Sequence, residues 1–286
     1  MLSSARKVWR RLPWAVAVTK EQAPSGNPVT QDTRNPLTRF RGDFNGVAGF
    51  LMPETEVVWD YLLSVQNQMN VVGDLFEIGV YKGRSAYLAS LYLKDGETII
   101  LVDINDMTDV ASQIGAMRRK YVTYVGNSSC INLNTLREWR GTVRWFHIDG
   151  DHSGFSTAND LALAASFLGD KGIISVDDFM NWQYPQLCGE VFRFLFGNPT
   201  FKMVLSGCNK CYIVRSKDYA LYESLIRKYL AGHLRGWDAQ VVVAKTSYAH
   251  DLGCWTVTPR RSFASGAGVG DRLVFGRDED PDDIPF

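Results

Sequence analysis

The chain predicts an α/β fold: a doubly wound sheet, mostly parallel, with an antiparallel edge hairpin. Three observations predict it. Short apolar runs alternate with helix-length stretches from about residue 74 to residue 196, a pattern that buries a parallel sheet under helices on both faces. Several of those runs end in glycine or acidic residues, where open α/β sheets place their ligands. Two further runs, Phe201–Ser206 and Tyr212–Arg215, flank the turn Gly207-Cys208-Asn209-Lys210 and read as a closing hairpin.

Taken in order, residues 1–35 form a basic flexible extension. Its first twenty residues carry Arg6, Lys7, Arg10, Arg11 and Lys20 and no acid, and Pro13 interrupts any helix there. Residues 36–72 form an N-terminal helical segment covering the site. Pro53 and Glu54 open a helix that runs to about Asn70, with Val57, Tyr61, Leu62 and Val65 on one face. The core, 73–215, takes strands at Asp74–Ile78, Thr98–Asp103, Val122–Val125, Val143–Ile148 and Gly172–Val176. Its helices are expected at Gly83–Tyr92, Asp109–Lys120, Asn132–Trp139, Phe155–Leu168 and Gln186–Phe196. A helix from about Asp218 to Ala231 opens the segment 216–275, whose remainder has no legible pattern. Residues 276–286 are an acidic, proline-containing tail.

Composition narrows the function. Basic and acidic residues balance, 31 against 31, which argues against a nucleic-acid surface. No apolar run approaches the roughly 20 residues of a membrane span. Five irregularly spaced cysteines are no disulfide framework, so a reducing, cytoplasmic setting is expected. Cys208 and Cys211 form a CxxC, yet no second cysteine pair or histidine pair completes a zinc set, and the hairpin turn accounts for them.

Two acidic clusters carry most of the chemistry: Ile148-Asp149-Gly150-Asp151-His152 and Val176-Asp177-Asp178-Phe179. Each ends a predicted strand, and a helix joins them. In a strand–helix–strand unit both clusters emerge at one sheet edge, with strands about 4.8 Å apart. Asp149 would then face Asp177 and Asp178, and a hard cation such as Mg²⁺ would convert their repulsion into binding.

The first strand runs into Glu77-Ile78-Gly79-Val80-Tyr81-Lys82-Gly83-Arg84-Ser85, a glycine loop ahead of a helix. Such a loop brings backbone close to a ligand. Its G-x-x-x-G spacing is neither the dinucleotide fingerprint nor a P-loop. A ligand without phosphate, such as S-adenosylmethionine (SAM), suits an acid plus backbone donors. Asp103, ending the second strand, stands where doubly wound folds hold ribose.

Together, Glu77-x-Gly79-x-x-x-Gly83-x-Ser85, Asp103, Gly126-Asn127-Ser128 and the two acidic clusters resemble the class I SAM-dependent methyltransferases, whose fold is Rossmann-like. The nearest branch looks like the metal-dependent O-methyltransferases of the macrocin type, relatives of the catechol and caffeoyl-CoA enzymes. The resemblance covers roughly residues 44–215. It implies that Glu77, Gly79, Gly83 and Ser85 line the methionine end of SAM, that Asp103 binds the ribose, and that Asn127 and Ser128 lie beside the adenine. It implies a divalent cation on Asp149, Asp177 and Asp178, with Asp151 next to them or facing the cofactor. His152 stands where the plant and catechol enzymes carry a catalytic lysine; histidine is typical of the macrocin-like branch.

The expected activity is therefore metal-assisted O-methylation of a small-molecule hydroxyl, on a sugar or a phenol, with Asp149 and His152 catalytic. Self-association into a homo-oligomer is left open. A rival reading takes His147-x-Asp149-x-Asp151-His152 as part of a binuclear zinc hydrolase motif, although its central histidine is missing. A hydroxylase-like relative and a non-catalytic SAM-binding module compete with it as well. His147, within a strand, is expected to be packed rather than ligating. Trp182 and Tyr184 either wall a substrate pocket or simply pack.

Overall fold

A computed structural model describes residues 17–21, 34–131, 136–246 and 252–259. The strands are β1 (Ala17–Glu21), β2 (Asp74–Ile78), β3 (Thr98–Asp103), β4 (Lys120–Val125), β5 (Val143–Ile148), β6 (Leu168–Asp177), β7 (Phe201–Gly207), β8 (Lys210–Arg215), β9 (Val241–Lys245) and β10 (Trp255–Pro259). The helices are α1 (Pro36–Asp43), α2 (Pro53–Gln68), α3 (Arg84–Ser90), α4 (Thr108–Ala116), α5 (Gly154–Phe167), α6 (Pro185–Gly197), α7 (Tyr219–Leu225) and α8 (Ala231–Gly236). A π-helical turn, Ile226–Leu230, joins α7 to α8.

The ten strands among the described residues form one sheet, in the order β1-β4-β3-β2-β5-β6-β8-β7-β10-β9. The run β4-β3-β2-β5-β6 is parallel, and β8 enters antiparallel to both β6 and β7. The strand order reverses between β2 and β5. That reversal opens a crevice at their carboxyl ends, the usual ligand position in such sheets.

Side chains on successive strand residues face opposite sides, so the core divides in two. One half gathers Leu75, Ile99, Leu101, Trp145 and Tyr212 with Trp59 of α2 and Leu88 of α3. The other gathers Phe76, Ile100, Phe146, Ile174 and Ile213 with Leu161 of α5 and Val191 of α6. α2 is buried well beyond the single expected face, Val58, Trp59 and Leu63 included. Arg144, fully buried, clamps this layer: its guanidinium takes both oxygens of Glu97 (3.0 and 2.8 Å), Gln66 Oε1 (3.0 Å) and the Tyr92 carbonyl (2.8 Å).

Several expectations are corrected. Ala17–Glu21, expected in a flexible arm, pairs antiparallel with β4; residues 1–16 and 22–33 lie outside the described residues. The helix expected to reach Lys120 ends at Ala116, because Arg118 turns left-handed (φ 58°) and Lys120 already pairs with Thr98. Of the helix expected over 132–139, residues 132–135 lie outside the described residues and Arg137–Trp139 form a 3₁₀ turn; another such turn spans Ser128–Cys130. β6 begins four residues early, at Leu168. The segment after α8 supplies β9 and β10, and β10 lies parallel to β7. The acidic tail is outside the described residues. No helix among the described residues is long and apolar enough to cross a membrane.

Candidate active site

Three backbone hydrogen bonds, all 2.8 Å, lace the loops that leave the central strands. Gly79 N donates to Val102 O, Asp149 N to Ile78 O, and Gly126 N to Asp103 O. They hold open a cleft of about 750 Å³, lined on one side by the glycine loop and on the other by the acidic clusters. Gly79 sits at φ 84°, and a Cβ there would lie 1.7 Å from the Asp149 carbonyl oxygen. Only glycine lets β2 pass so close to the loop after β5. Gly83 (φ 83°) precedes α3, where a Cβ would strike Val110 at 2.7 Å.

On the glycine-loop side, Glu77 is buried. Its Oε1 accepts a hydrogen bond from Ser85 Oγ, while its Oε2 is buried with no partner. Burial pushes its pKa up to about 8. Asp103 Oδ2 accepts from the amides of Val80 and Tyr81, and its Oδ1 accepts from Asn105 N (2.8 Å) and Nδ2 (3.1 Å). Asn127 caps its 3₁₀ turn by accepting from Ser129 N (2.9 Å), and Ser128 lines the cleft beside it. Asp160 of α5 lies beneath this wall: it is buried, and a Cβ on Gly150 would come within 3.3 Å of its Oδ2. Burial raises its pKa to about 6.

On the acidic side, the three carboxylates fall into two clusters that share Asp149. His147, Asp149 and Asp177 bring one ligand atom each within 4.8 Å of the others; so do Asp149, His152 and Asp178. Asp177 Oδ2 meets Lys210 Nζ at 2.5 Å, on residues that face each other across β6 and β8. Asp178, at φ 52°, turns its Oδ2 to His152 Nε2 (2.8 Å), and its Oδ1 accepts from Asn181 (2.7 Å) and Asn209 (2.5 Å). Asp151 looks toward α5 instead: its Oδ2 accepts from Ser153 Oγ (2.7 Å) and Ser156 Oγ (2.8 Å) at the helix N-terminus.

The electrostatics follow this wiring. Burial and neighbouring Asp177 hold the Asp149 carboxyl well above the usual range. Burial opposes ionisation of Asp177 too, but Lys210 and His147 outweigh it and lower its pKa. Burial works against Asp178 as well, yet hydrogen bonds from His152, Asn181 and Asn209 bring it down to about 2. The bond to Asp178 raises His152. Asp149 and Asp178, partly open to the cleft and oxygen-bearing, with His152 beside them, fit a hard cation. Asp177 belongs to the other group, with His147 and Asp149, and there it also meets the Lys210 ammonium.

His147 is packed as expected: it is buried, stands edge-on to Trp59 (4.7 Å), and burial lowers its pKa to about 3. Tyr184 lines the cleft and meets His152 at 4.3 Å, whereas Trp182 is 84% exposed. Sequence reasoning missed Lys210, Asn209 and Asn181, whereas Gly49–Leu51 lies in the segment expected to cover the site. Lys210 reads as a hairpin-turn residue, and only the β6–β8 register brings it to Asp177. Gly49–Leu51 is secured by Arg84, which donates to the Val47 carbonyl (3.0 Å) and pairs with Glu56 (2.7 Å).

The competing motifs lead elsewhere. His233 binds Asp60 (2.7 Å) outside the cleft lining, and His250 lies outside the described residues. Among the described residues no histidine beyond His147 and His152 joins the acids. Cys208 and Cys211 are free thiols in opposite halves of the core and form no chelate.

A family model described as a methyltransferase domain matches residues 76–179, from β2 to just past β6. That stretch, roughly a third of the chain, holds the glycine loop and both acidic clusters. Among solved structures, the TDP-rhamnose 3'-O-methyltransferase CalS11, an enzyme in calicheamicin biosynthesis, is 17% identical, with 68% of this chain and 97% of that chain covered and a TM-score of 0.46. The MycE methyltransferase, solved with Mg, SAH and mycinamycin VI, is 15% identical over 64% of this chain and 54% of that one, at 0.48. An O-methyltransferase from Bacillus cereus in complex with SAH is 14% identical over 65% and 91%, at 0.43. No curated protein sequence matches the chain.

Proposed function

We propose that this protein transfers the methyl group of SAM to a hydroxyl oxygen of a small molecule, a sugar or a phenol. The observation that carries the reading is one cleft with two unlike walls. One wall offers the glycine loop and a strand-end aspartate, with a buried acid bearing an unpartnered oxygen behind them. The other offers a carboxylate–histidine pair.

On the first wall, Glu77 Oε2 receives the ammonium of the methionine moiety, which supplies the missing partner of that buried atom. Asp103 is steadied by three backbone amides, and the Asn105 side chain on its Oδ1 would give way to a ribose hydroxyl. Gly79 lets the sulfonium approach the floor of the cleft. Asn127 and Ser128 border the adenine.

On the second wall, His152 is oriented through Nε2 by Asp178, leaving Nδ1 to accept the hydroxyl proton. The acceptor oxygen attacks in line, the O–C bond forms as the C–S bond breaks, and the electron pair stays on sulfur as a neutral thioether. The pairing with Asp178 stabilises the imidazolium that results. Mg²⁺ or a like cation would be held by the carboxylates of Asp149 and Asp178 beside His152, and when bound it would lower the pKa of the hydroxyl.

The reading is tested with labelled SAM and a library of sugar and phenol hydroxyls, with and without Mg²⁺. Label transfer to a hydroxyl, lost in His152→Ala and Glu77→Ala, is the expected result. SAM binding by calorimetry without transfer to any acceptor would instead mark a binding module. Absence of SAM binding ends the proposal.

A further inference from the structure

The acidic wall carries a cation of its own. Lys210 opens β8 and faces Asp177, the last residue of β6, in antiparallel register. Its ammonium lies 2.5 Å from Asp177 Oδ2; the two side chains are 2% and 10% exposed. The same ammonium sits 5.5 Å from the ring of Trp59, which itself stands edge-on to His147. The lysine thus stands at the edge of the cleft, nearly buried between an indole face and a carboxylate. Thr55 of α2 fastens the adjoining turn by donating to the Cys208 carbonyl at 3.0 Å.

The pair also shapes its neighbours. Asp177 Oδ1 accepts from the backbone amide of Asp178 at 2.8 Å. That bond, with Asn209 on Oδ1 of Asp178, holds residue 178 in its left-handed conformation (φ 52°), from which its carboxylate reaches His152. A chain of contacts thus runs from Lys210 through Asp177 and Asp178 to His152. Asp177 and Asp178 accordingly belong to two different groups of ligating atoms, which share Asp149.

A divalent ion on Asp177 would lie next to a fixed positive charge in a poorly solvated place, and like charges there repel strongly. We propose that Lys210 is the resident cation of Asp177: it takes the place a divalent ion would need on that carboxylate, so a divalent ion in this cleft is held by Asp149 and Asp178, beside His152, and not by Asp177. Lys210 then acts as a positioning residue, setting Asp178 against His152. The inference deepens the reading of the cleft as a methyl-transfer site and rests on it, but it is tested by ion binding rather than turnover.

Mn²⁺ is titrated into the full-length chain, with free ion followed by electron paramagnetic resonance. The proteins are the wild type, Asp177→Asn, Asp178→Asn, Lys210→Met and Lys210→Met/Asp177→Asn, with Lys210→Gln as the substitute should the methionine variant fail to fold. Removing the ammonium should expose a buried, uncompensated carboxylate, so Lys210→Met (or Lys210→Gln) should tighten Mn²⁺ binding about tenfold or more. That gain should vanish in the double variant. In the wild-type background Asp178→Asn should weaken Mn²⁺ and Asp177→Asn should not. Equal weakening by Asp177→Asn and Asp178→Asn, or an unchanged affinity on replacing Lys210, overturns the proposal. SAM calorimetry on the same samples separates the two readings: a wild type that fails to bind SAM defeats the methyl-transfer function, while the Mn²⁺ arms still decide the role of Lys210.

Discussion

The carboxylate of Asp103 organises the loop that starts at Val80: its Oδ2 accepts the Val80 amide at 2.8 Å, and the Tyr81 amide at the same distance. The last residue of β3 thereby builds the cofactor wall at the end of β2. Charge-assisted bonds of this kind contribute about 1.5–3 kcal/mol each. Asp103→Ala should weaken SAM binding by roughly thirtyfold or more in calorimetry, with far-ultraviolet circular dichroism unchanged. Asp103→Asn should be nearly as harmful, because one oxygen becomes an NH₂ group facing a backbone donor. An affinity within about threefold of wild type in either variant would exclude the role.

Glu77 links cofactor binding to proton release. With its pKa near 8 it is protonated at neutral pH, and an arriving ammonium favours the carboxylate. SAM binding at about pH 7 should release close to one proton, falling toward zero by about pH 9. Calorimetric enthalpies in buffers of different ionisation heat measure this directly. Glu77→Gln should abolish the release and weaken binding; release that is equal in wild type and Glu77→Gln would refute it.

Gly79 is a packing constraint as much as a conformational one. A Cβ at 1.7 Å from the Asp149 carbonyl has nowhere to go, since the atom it meets is backbone. Gly79→Ala should cost about 3 kcal/mol or more and be poorly soluble, as expected for forced overpacking at a left-handed position. Gly96→Ala is the matched control: φ is 90°, but a Cβ there meets open space. It should lose only about 1 kcal/mol in urea unfolding. Similar losses at both sites would show that the contact with Asp149 is unimportant.

Asp160 should give the protein an alkaline liability. Its folded pKa, about 6, lies above the ordinary aspartate value, so the folded state holds a proton that the unfolded chain has already lost. The associated stability is complete below the unfolded pKa of about 3.9 and disappears as pH rises through the folded one. Between about pH 4 and pH 8 the wild type should lose about 2 kcal/mol relative to Asp160→Asn, which has no such titration. Urea midpoints across that range provide the test, and parallel pH profiles would contradict it.

Much of this was legible in the chain. β2, β3 and β5 have the bounds their apolar runs predict, and α2 and α6 start at prolines, because these features depend on neighbours in sequence. The glycine loop and Asp103 were readable for the same reason: strand, turn and helix follow one another directly. Asp151 shows a limit: it lines the cleft, as its spacing from Asp149 suggested, but the bonds it accepts from Ser153 and Ser156 at the start of α5 were not legible. Arg118 shows another: a left-handed residue ended a helix whose propensity ran on to Lys120.

By itself, then, the sequence determined the alternation of elements, the sheet edge where the chemistry gathers and the residue types gathered there. Only the tertiary structure decided which of those residues touch. Strand partners far apart in the chain set that: β8 brings Lys210 to Asp177, β10 joins the sheet through β7, and β1 closes on β4. Such pairings depend on long-range register and burial, which local propensity does not encode, so a lysine written in a hairpin turn became the buried counter-charge of a site aspartate.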